Sequence, residues 1–228
     1  MTLVPYRPGD ERRSWCWDVA RYWLAKVGWP IYVSDCTGEQ FNISPARNAA
    51  SAEADADGRW DVALVTDTDV IVSSEQLHRS LAWLRSSGGA VRPHSERWML
   101  TETGSTLFSQ RGPDAVDVLD SKHVEKMFAG GGQLLVTRDA WESVNGFDEN
   151  FIGWGREDSV MNINLLASGY WERLPGDAWH LWHPRSSGRV AKLSDQLYRA
   201  ALKDHRTEII RWAANKGLEG RERPEFVL

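Results

Sequence analysis

The sequence predicts an α/β protein in which helices flank a mainly parallel central sheet. Strand-like and helix-like stretches alternate through the first half of the chain, an order typical of parallel strands joined by helices. Of the 228 residues, 42% are hydrophobic and 26% are charged, which is the composition of a globular protein that buries a sizeable core. The length, without repeats, low-complexity tracts or a linker, favours one domain over residues 1–228.

Charge and cysteine content exclude several classes of protein. A net charge of -5 argues against broad binding to a phosphate backbone, which requires a basic face. Two cysteines, Cys16 and Cys36, are too few for a disulfide scaffold or a cysteine-based zinc module. The apolar runs fall far short of the roughly 20 residues that span a bilayer, and no signal peptide is recognisable. We therefore expect a soluble, cytoplasmic protein without membrane contact.

Local signals divide the first half into strands and helices. The spacing of Trp15, Val19 and Trp23 predicts a first helix. Ser44 before a proline is a typical start for the second helix, and Ser73 can cap the third. The predicted strands are 2–6, 30–33, 62–65 and 90–92, and the predicted helices are 10–27, 46–54 and 74–86.

The second half is less regular. Residues 95–126 show weak periodicity broken by glycines, which favours a functional lid or a mobile segment. Thr137 can cap a short helix, and Ser194 can cap a long C-terminal helix that reaches about residue 216. The predicted strands are 133–137 and 170–174, and the predicted helices are 138–144, 157–167 and 194–216.

Two carboxylates follow the third strand. Asp67 and Asp69 lie on the turn where this strand ends. Proteins with parallel sheets bind ligands outside the carboxyl ends of their strands. Two carboxylates at that place suit a hard divalent cation that bridges a diphosphate. Acidic, solvated loops are also common after strands, so the spacing alone leaves both interpretations open.

Two histidines, His180 and His183, lie close together in a tryptophan-rich stretch. At this spacing both rings can share a helical or turn face and point at one metal ion. Imidazole together with carboxylate suits Mn(II) or a similar divalent ion. The alternative is that both histidines pack between Trp179 and Trp182, each bound to a backbone carbonyl.

A third cluster spans residues 153–158. Gly153 and Gly155 allow backbone conformations that a Cβ atom blocks, so that Trp154 between them can be displayed. Glu157 and Asp158 then occupy the first turn of a helix, where the helix dipole favours their anionic forms. A carboxylate in an aromatic-walled site is a natural general base, although acidic helix starts also occur without any such role.

The order of these motifs resembles that of the β-1,4-galactosyltransferase family and of the wider family 2 glycosyltransferases. Residues 153–158 look like the Trp-Gly-Gly-Glu-Asp region of the first family, and residues 129–151 resemble the block that precedes it there. Residues 41–48 resemble the Asn-Arg-Ala helix start of these enzymes. Asp67 and Asp69 fall where the metal-binding Asp-x-Asp falls. The agreement in order covers nearly the whole chain.

The resemblance implies a GT-A fold, the Rossmann-like architecture that binds nucleotide sugars. It implies an inverting, metal-dependent glycosyltransferase that moves a sugar from a nucleotide-diphosphate sugar, expected to be a UDP-sugar, to an acceptor hydroxyl. The implied cofactor is Mn(II) or Mg(II). Residues 1–94 would form a nucleotide-binding half, residues 95–193 an acceptor-binding and catalytic half, and residues 194–228 a C-terminal helix.

The resemblance also implies a set of metal ligands. Asp69 would ligate the metal ion, and Asp67 would lie near the ribose or the metal. His183 would be a second ligand. His180 stands where the galactosyltransferases have a methionine ligand, so it would either ligate the metal instead or merely pack.

Most of the remaining roles follow from the same resemblance. Asp158 would be the catalytic base, and Glu157 would bind the acceptor or the donor sugar. The residues expected to contact the nucleotide sugar are Pro5, Arg7, Asp35, Arg47, Asp67, Trp154, Arg185 and Arg189. Arg185 and Arg189 lie in a basic loop that could close over the diphosphate, the alternative being a solvated loop.

Two other functions are compatible with the same residues. A metal-dependent phosphodiesterase or nucleotidyltransferase also uses acidic pairs and histidines. A non-catalytic carbohydrate-binding domain would use exposed rings among the 13 tryptophans to stack on sugars. For a transferase, we expect a glycan, protein or small-molecule acceptor, with a modified nucleic acid as a further option. The missing membrane anchor and stem of the galactosyltransferases favour a bacterial or phage-type enzyme.

Overall fold

Ten strands and eight α-helices are present in the computed structural model, which describes residues 1–124, 131–152, 155–184 and 192–215. The strands are β1 (Thr2–Pro5), β2 (Ile31–Ser34), β3 (Val62–Thr66), β4 (Val70–Ile71), β5 (Ala90–Arg92), β6 (Glu96–Leu100), β7 (Ser121–His123), β8 (Gln133–Thr137), β9 (Trp171–Arg173) and β10 (Asp177–His180). The helices are α1 (Glu11–Val27), α2 (Ile43–Asp57), α3 (Ser74–Ser87), α4 (Glu102–Arg111), α5 (Arg138–Ser143), α6 (Glu157–Ala167), α7 (Lys192–Asp204) and α8 (Arg206–Asn215).

The main sheet has six strands in the order β2-β1-β3-β8-β5-β9. The pairs β1–β2, β1–β3 and β5–β9 are parallel, whereas β8 runs antiparallel to both of its neighbours, β3 and β5. All strands of this sheet except β8 therefore point the same way, and the prediction of a mainly parallel sheet is confirmed. The carboxyl ends of β1, β2 and β3 meet at one edge, where parallel-sheet proteins place their ligands.

A second sheet, in the order β4-β10-β6-β7, contains two strands from the region predicted to be a lid. That prediction is wrong for the described part of the region, because β6, α4 and β7 are regular elements there. Thr101 caps α4 by accepting a hydrogen bond from the Gly104 N–H. Phe108 of this helix is fully buried against the rings of Trp23 and Trp179. The elements are short, which leaves little periodicity to detect in the sequence.

The helix caps largely follow the predictions. The Oγ atom of Ser73 accepts from the Gln76 N–H, and Thr137 caps α5 in the same way. Helix α2 begins earlier than expected, with Asn42 at the cap position, so Ser44 is buried inside the helix instead of capping it. The predicted C-terminal helix is two helices, α7 and α8, separated at His205, and Ser194 lies within the first turn of α7.

Two hydrophobic clusters form the core, one on each face of the main sheet. Leu3 contributes to one cluster and its neighbour Val4 to the other, as expected from the alternation of side chains along a strand. The buried face of α1 includes Cys16, Ala20, Leu24 and Val27. The face predicted from Trp15, Val19 and Trp23 is only partly buried, and it lies one residue before the observed one. Within the described residues, no helix is both long and apolar enough to cross a membrane.

Candidate active site

The acidic turn after β3 lies at the carboxyl edge of the main sheet, where it is tied to the start of β8. The Asp67 N–H donates to the carbonyl oxygen of Gly132 at 2.9 Å. The side-chain amide of Gln133 donates to Thr66 Oγ1 at 3.0 Å and to the Val70 carbonyl at 3.1 Å. These bonds hold both ends of the turn, so the carboxylates of Asp67 and Asp69 extend from a rigid frame.

Asp69, His180 and His183 form a three-residue cluster, which we call the metal triad. One ligand atom from each residue lies within 4.8 Å of the other two. The Nε2 atom of His183 is 2.9 Å from Asp69 Oδ2, and the Nε2 atom of His180 is 3.7 Å from Asp69 Oδ1. His180 ends strand β10, so the two histidines do not share the helical or turn face that their spacing predicted.

Strand pairing brings the histidines to the acidic turn. Strand β10 runs antiparallel to β4, with His180 opposite Val70, the residue after Asp69. The Leu181 N–H donates to the Asp69 carbonyl at 2.8 Å and continues this pairing. These residues were expected to share a metal site, but the short strand pair that brings them together has no recognisable signal in the sequence.

Trp182 lies between His180 and His183 in the chain, and both of its backbone polar groups are hydrogen-bonded. Its N–H donates to Ser105 Oγ at 2.7 Å, and its carbonyl accepts from Arg12 Nε at 2.9 Å. The Arg12 guanidinium also lies over the rings of Trp15 and Trp182, with distances to the ring centroids of 4.1 and 5.1 Å. Sequence reasoning missed Arg12 and Ser105, because both act on the position of His183 from distant helices.

The charges of the metal triad suit a cation. Burial tends to raise the pKa of Asp69, but the charge of His180 and the hydrogen bond with His183 outweigh it and lower that pKa to about 2. Burial lowers the pKa of His180, whereas the hydrogen bond with Asp69 raises that of His183. The buried Nδ1 atom of His180 has no hydrogen-bond partner among the described residues. One carboxylate and two imidazoles are a donor set that Mn(II) accepts.

Arg47 joins the acidic turn to the start of α6 in a second cluster, which we call the arginine bridge. Its Nη2 atom donates to Asp67 Oδ1 and its Nη1 atom donates to Asp158 Oδ1, both at 2.6 Å. The Arg47 side chain is only 1% exposed, and its guanidinium lies 4.5 Å from the ring centroid of Phe147. The structure therefore places Arg47 between two carboxylates, inside the site and closed to solvent.

Burial raises the pKa of two of the acids around this bridge. It raises the pKa of Asp67 to about 6, an effect that the positive charge of Arg47 only partly offsets. It also raises the pKa of Glu157 to about 7, helped by the negative charge of Asp158. At Glu157, desolvation therefore opposes the helix dipole, which was expected to favour the anionic form.

Asp158 is the more accessible acid, with a side chain 20% exposed against 8% for Glu157. Its carboxylate packs directly on the backbone of Gly131, where an added Cβ atom would lie 1.5 Å from Oδ2. Gly155 has φ +97°, and the next residue, Arg156, has φ +81°, a conformation that costs a residue with a side chain about 1 kcal/mol. The predicted need for glycine at position 155 thus agrees with the structure, and the strain at Arg156 was missed.

The predicted nucleotide-binding residues lie where β1 and β2 end. Pro5 is the last residue of β1. The Nε atom of Arg7 donates to Asp35 Oδ2 at 2.6 Å, and its terminal nitrogens donate to three carbonyl groups of the 36–39 loop. This hydrogen bond with Arg7 lowers the pKa of Asp35. Arg7 and Asp35 are therefore brought together, and Arg7 shapes the loop beside them. The other expected contacts, Trp154, Arg185 and Arg189, lie outside the described residues.

Known proteins resemble the chain in part of its sequence and in its fold. A family model for the N-terminal domain of galactosyltransferase matches residues 115–184, the segment that contains Glu157, Asp158 and both triad histidines. No curated protein matches the sequence.

Solved structures of two known proteins have a similar fold. The catalytic domain of Drosophila β1,4-galactosyltransferase 7 with xylobiose is 19% identical, with a TM-score of 0.58 over 87% of this chain and 78% of that chain. A mutant of that Drosophila enzyme with manganese, UDP-Gal and xylobiose is 18% identical, with a TM-score of 0.52 over the same shares, 87% and 78%. S. aureus TarS 1-349 with UDP-GlcNAc is 11% identical, with a TM-score of 0.56 over 92% of this chain and 66% of that chain.

These similarities confirm two predictions. The resemblance to galactosyltransferases is confirmed by the family model, and the GT-A fold is confirmed by the shared architecture. Both findings support the prediction that the chain is a glycosyltransferase enzyme.

Proposed function

We propose that this chain is a metal-dependent inverting glycosyltransferase that moves a sugar from a UDP-sugar to an acceptor hydroxyl. The observation that carries the proposal is the position of the metal triad and of Asp158 at the carboxyl edge of one sheet, joined through Asp67 and Arg47. A divalent cation site and a partly exposed carboxylate are the two groups that such a transfer needs. Residues 1–94 would supply the nucleotide-binding half and residues 95–193 the acceptor-binding and catalytic half.

The metal triad fits Mn(II), the ion bound in the Drosophila galactosyltransferase complex. Asp69, His180 and His183 would hold the ion, with Asp67 close to them. When bound, the ion would offset the negative charge that develops on the diphosphate leaving group. Arg12 and Ser105 would fix the backbone at Trp182 and thereby the position of the third ligand.

Asp158 would act as the catalytic base. As the acceptor oxygen forms its bond to the sugar carbon, the bond from that carbon to the diphosphate breaks, and Asp158 takes the proton of the acceptor hydroxyl. Arg47 would hold this carboxylate in place through its hydrogen bond of 2.6 Å. Glu157, whose side chain is only 8% exposed, would instead bind a sugar hydroxyl of the acceptor or the donor.

The donor nucleotide would lie beside Pro5, Arg7 and Asp35, at the ends of β1 and β2. UDP-Gal and UDP-GlcNAc occupy the two structural neighbours, which favours a uridine nucleotide here. Xylobiose in the Drosophila complexes favours a carbohydrate hydroxyl as the acceptor. Trp154, the tryptophan predicted to stack on the sugar, lies outside the described residues.

Binding of UDP with and without Mn(II) tests the metal site. We expect Mn(II) together with UDP to raise the melting temperature of the protein, because a ligand that binds only the native state stabilises it. Asp69→Ala should remove the metal-dependent part of this shift. His123→Ala is the matched control, since His123 also pairs with a carboxylate, Glu96, but at the surface, 2.6 Å away. An unchanged shift in Asp69→Ala would contradict the assignment of the metal triad.

Product analysis separates the transferase from the two alternatives. A glycosyltransferase should release UDP and a glycosylated acceptor, with a glycan such as xylobiose as the first acceptor to try. Release of a sugar phosphate or of a nucleoside monophosphate without acceptor would instead indicate the phosphodiesterase or nucleotidyltransferase. Sugar binding without turnover of any UDP-sugar in the presence of Mn(II) would indicate a carbohydrate-binding domain.

A further inference from the structure

Arg97 is a buried cation that the chemistry above does not use. It lies on β6 of the second sheet and is only 6% exposed. Neither its Nε atom nor its Nη2 atom has a hydrogen-bond partner, and no described carboxylate lies within ion-pair distance of it. A buried charge without a partner costs free energy, so its presence calls for a reason.

The position of Arg97 points to the active site. Strand β6 runs parallel to β10 with Arg97 opposite Ala178, so that His180 of the metal triad lies two residues further along the neighbouring strand. The Nη2 atom lies against Gly132, where an added Cβ atom would be 2.8 Å from it. Gly132 also has φ +113°, so this position favours glycine on two grounds.

The carboxylates that most favour the charge of Arg97 are engaged elsewhere. Asp67, Asp158 and Asp69 exert the main favourable charge effects on the Arg97 guanidinium, yet burial outweighs them and lowers its pKa. Asp67 and Asp158 are bound to Arg47, and Asp69 is paired with His183. Arg97 is therefore a permanent cation whose Nε and Nη2 groups have no hydrogen-bond partner.

The two unpartnered atoms define the ligand chemistry. The Nε–H group and one N–H of Nη2 lie on the same edge of a guanidinium and point in parallel, which matches two oxygen atoms of one carboxylate or phosphate. A neutral sugar hydroxyl offers a single oxygen and would leave half of this edge unpaired. We call these two parallel N–H groups the fork of Arg97. The fork thus favours an anion in which two oxygen atoms can accept together.

We propose that Arg97 binds an anionic group of the donor substrate through this edge, next to the metal triad. The inference rests on the proposed function, since it assigns part of the donor site. The anion has two possible sources, the diphosphate of any UDP-sugar and the carboxylate of a transferred uronic acid. Both nitrogen atoms are closed to solvent, so substrate binding includes a local opening of the site around Gly132.

Calorimetric titrations of Arg97→Met test the proposal with four probes in the presence of Mn(II): uridine, UDP, UDP-Gal and UDP-glucuronate. If the diphosphate is the anion, the affinity for UDP and both UDP-sugars falls by about 10- to 100-fold while that for uridine does not change. If the carboxylate is the anion, only the affinity for UDP-glucuronate falls to that extent. Equal affinities of variant and wild type for all probes would overturn the proposal.

Two further variants separate binding from structure. Arg97→Lys keeps the charge but lacks the two parallel N–H groups, so it should lose affinity for the same probes as Arg97→Met. If Arg97→Lys bound these probes with wild-type affinity, the paired contact would be refuted. Without ligand, Arg97→Met should melt at the same temperature as the wild type or higher, because an unpaired buried charge has been removed. A lower melting temperature would show that Arg97 is a structural counter-charge and would also refute the proposal.

Arg21→Met, which removes an exposed arginine paired with Asp18, is the control for loss of an arginine as such and should bind all probes normally. The proposed function and this inference fail in different ways. If wild-type protein bound none of the uridine diphosphates, the proposed function would fall and the inference with it. If wild-type protein bound them and Arg97→Met bound them equally well, the inference alone would fall.

Discussion

The metal triad and the arginine bridge contain the same acid, aspartate, in two different settings. In the triad Asp69 pairs with imidazoles, which lose their proton near neutral pH and can then bind a metal ion. In the arginine bridge Asp67 and Asp158 pair with a guanidinium, which stays protonated and cannot bind a metal. The partner therefore decides whether a carboxylate belongs to an exchangeable cation site or to a permanent internal ion pair.

This comparison explains how two neighbouring carboxylates, Asp67 and Asp69, can differ so much. Their pKa values move in opposite directions, to about 6 and about 2, although they share one turn. Burial opposes ionisation of both, but Asp69 has two imidazoles beside it, whereas Asp67 shares one guanidinium with Asp158 and also feels the charges of Asp158 and Asp69. A motif of two carboxylates thus contains two unlike sites.

The largest expected effect is on catalysis through the arginine bridge. Asp158→Asn removes the proton acceptor and should lower the transfer rate by about 10²- to 10⁴-fold, the usual contribution of a general base. Donor binding, measured by calorimetry with UDP and Mn(II), should stay as it is because the metal triad is intact. Asp139→Asn, an exposed acid in the first turn of α5, is the control and should keep full activity. A comparable loss in both variants, or none in Asp158→Asn, would contradict the role of Asp158.

The second effect is on stability. Arg47→Met leaves Asp67 and Asp158 without their buried partner, and breaking a buried ion pair typically costs about 3–5 kcal/mol. Urea unfolding of wild type and variant measures the difference. Arg138→Met is the matched control, because Arg138 also bridges two carboxylates, those of Asp55 and Glu142, but near the surface, where water screens the charges. Equal losses in the two variants would show that burial of the arginine bridge does not matter.

A smaller effect is expected on Mn(II) affinity when a hydrogen bond next to His183 is removed. Ser105→Ala leaves the Trp182 N–H without its acceptor and should weaken Mn(II) binding by about 10-fold, as loss of an outer partner of a metal ligand does. Calorimetric titration with Mn(II) measures the change. Ser109→Ala on the same helix removes a hydroxyl that binds only the Thr106 carbonyl, and it should have no effect. Identical Mn(II) affinity in both variants would mean that α4 does not position His183.

The smallest effect is a dependence of stability on pH. The pKa of Glu157 is about 7 in the folded protein, above its ordinary 4.5, so the folded state binds more protons than the unfolded state between these values. Its contribution to stability is therefore full below about pH 4.5 and is lost as the pH rises toward 7. Urea midpoints at pH 5 and pH 8 measure the slope, and Glu157→Gln should reduce it. An unchanged slope in Glu157→Gln would show that Glu157 is not held in its neutral form.

Local features of the fold were predictable from the sequence, because they depend on residues close together in the chain. Ser73 and Thr137 cap their helices as expected, since capping needs only a side-chain oxygen and a backbone N–H three residues later. Residues 95–126 were misjudged because β6 acquires its partner β10 from some 80 residues away in the chain, and β7 in turn pairs with β6. A strand of this length has almost no signal of its own.

The sequence by itself determined the candidate site residues and the order in which they occur: an acidic turn after a strand, an acidic helix start and a histidine pair. These depend on residue type and local spacing, and the same order made the resemblance to galactosyltransferases visible. Only the tertiary structure decided which groups meet. Arg47 reaches Asp158 across 111 residues of chain, and Arg12 reaches Trp182 across 170. Burial and charge pairing arise from these long-range contacts, so the ionisation of each acid and the unpaired fork of Arg97 exist only in the folded protein.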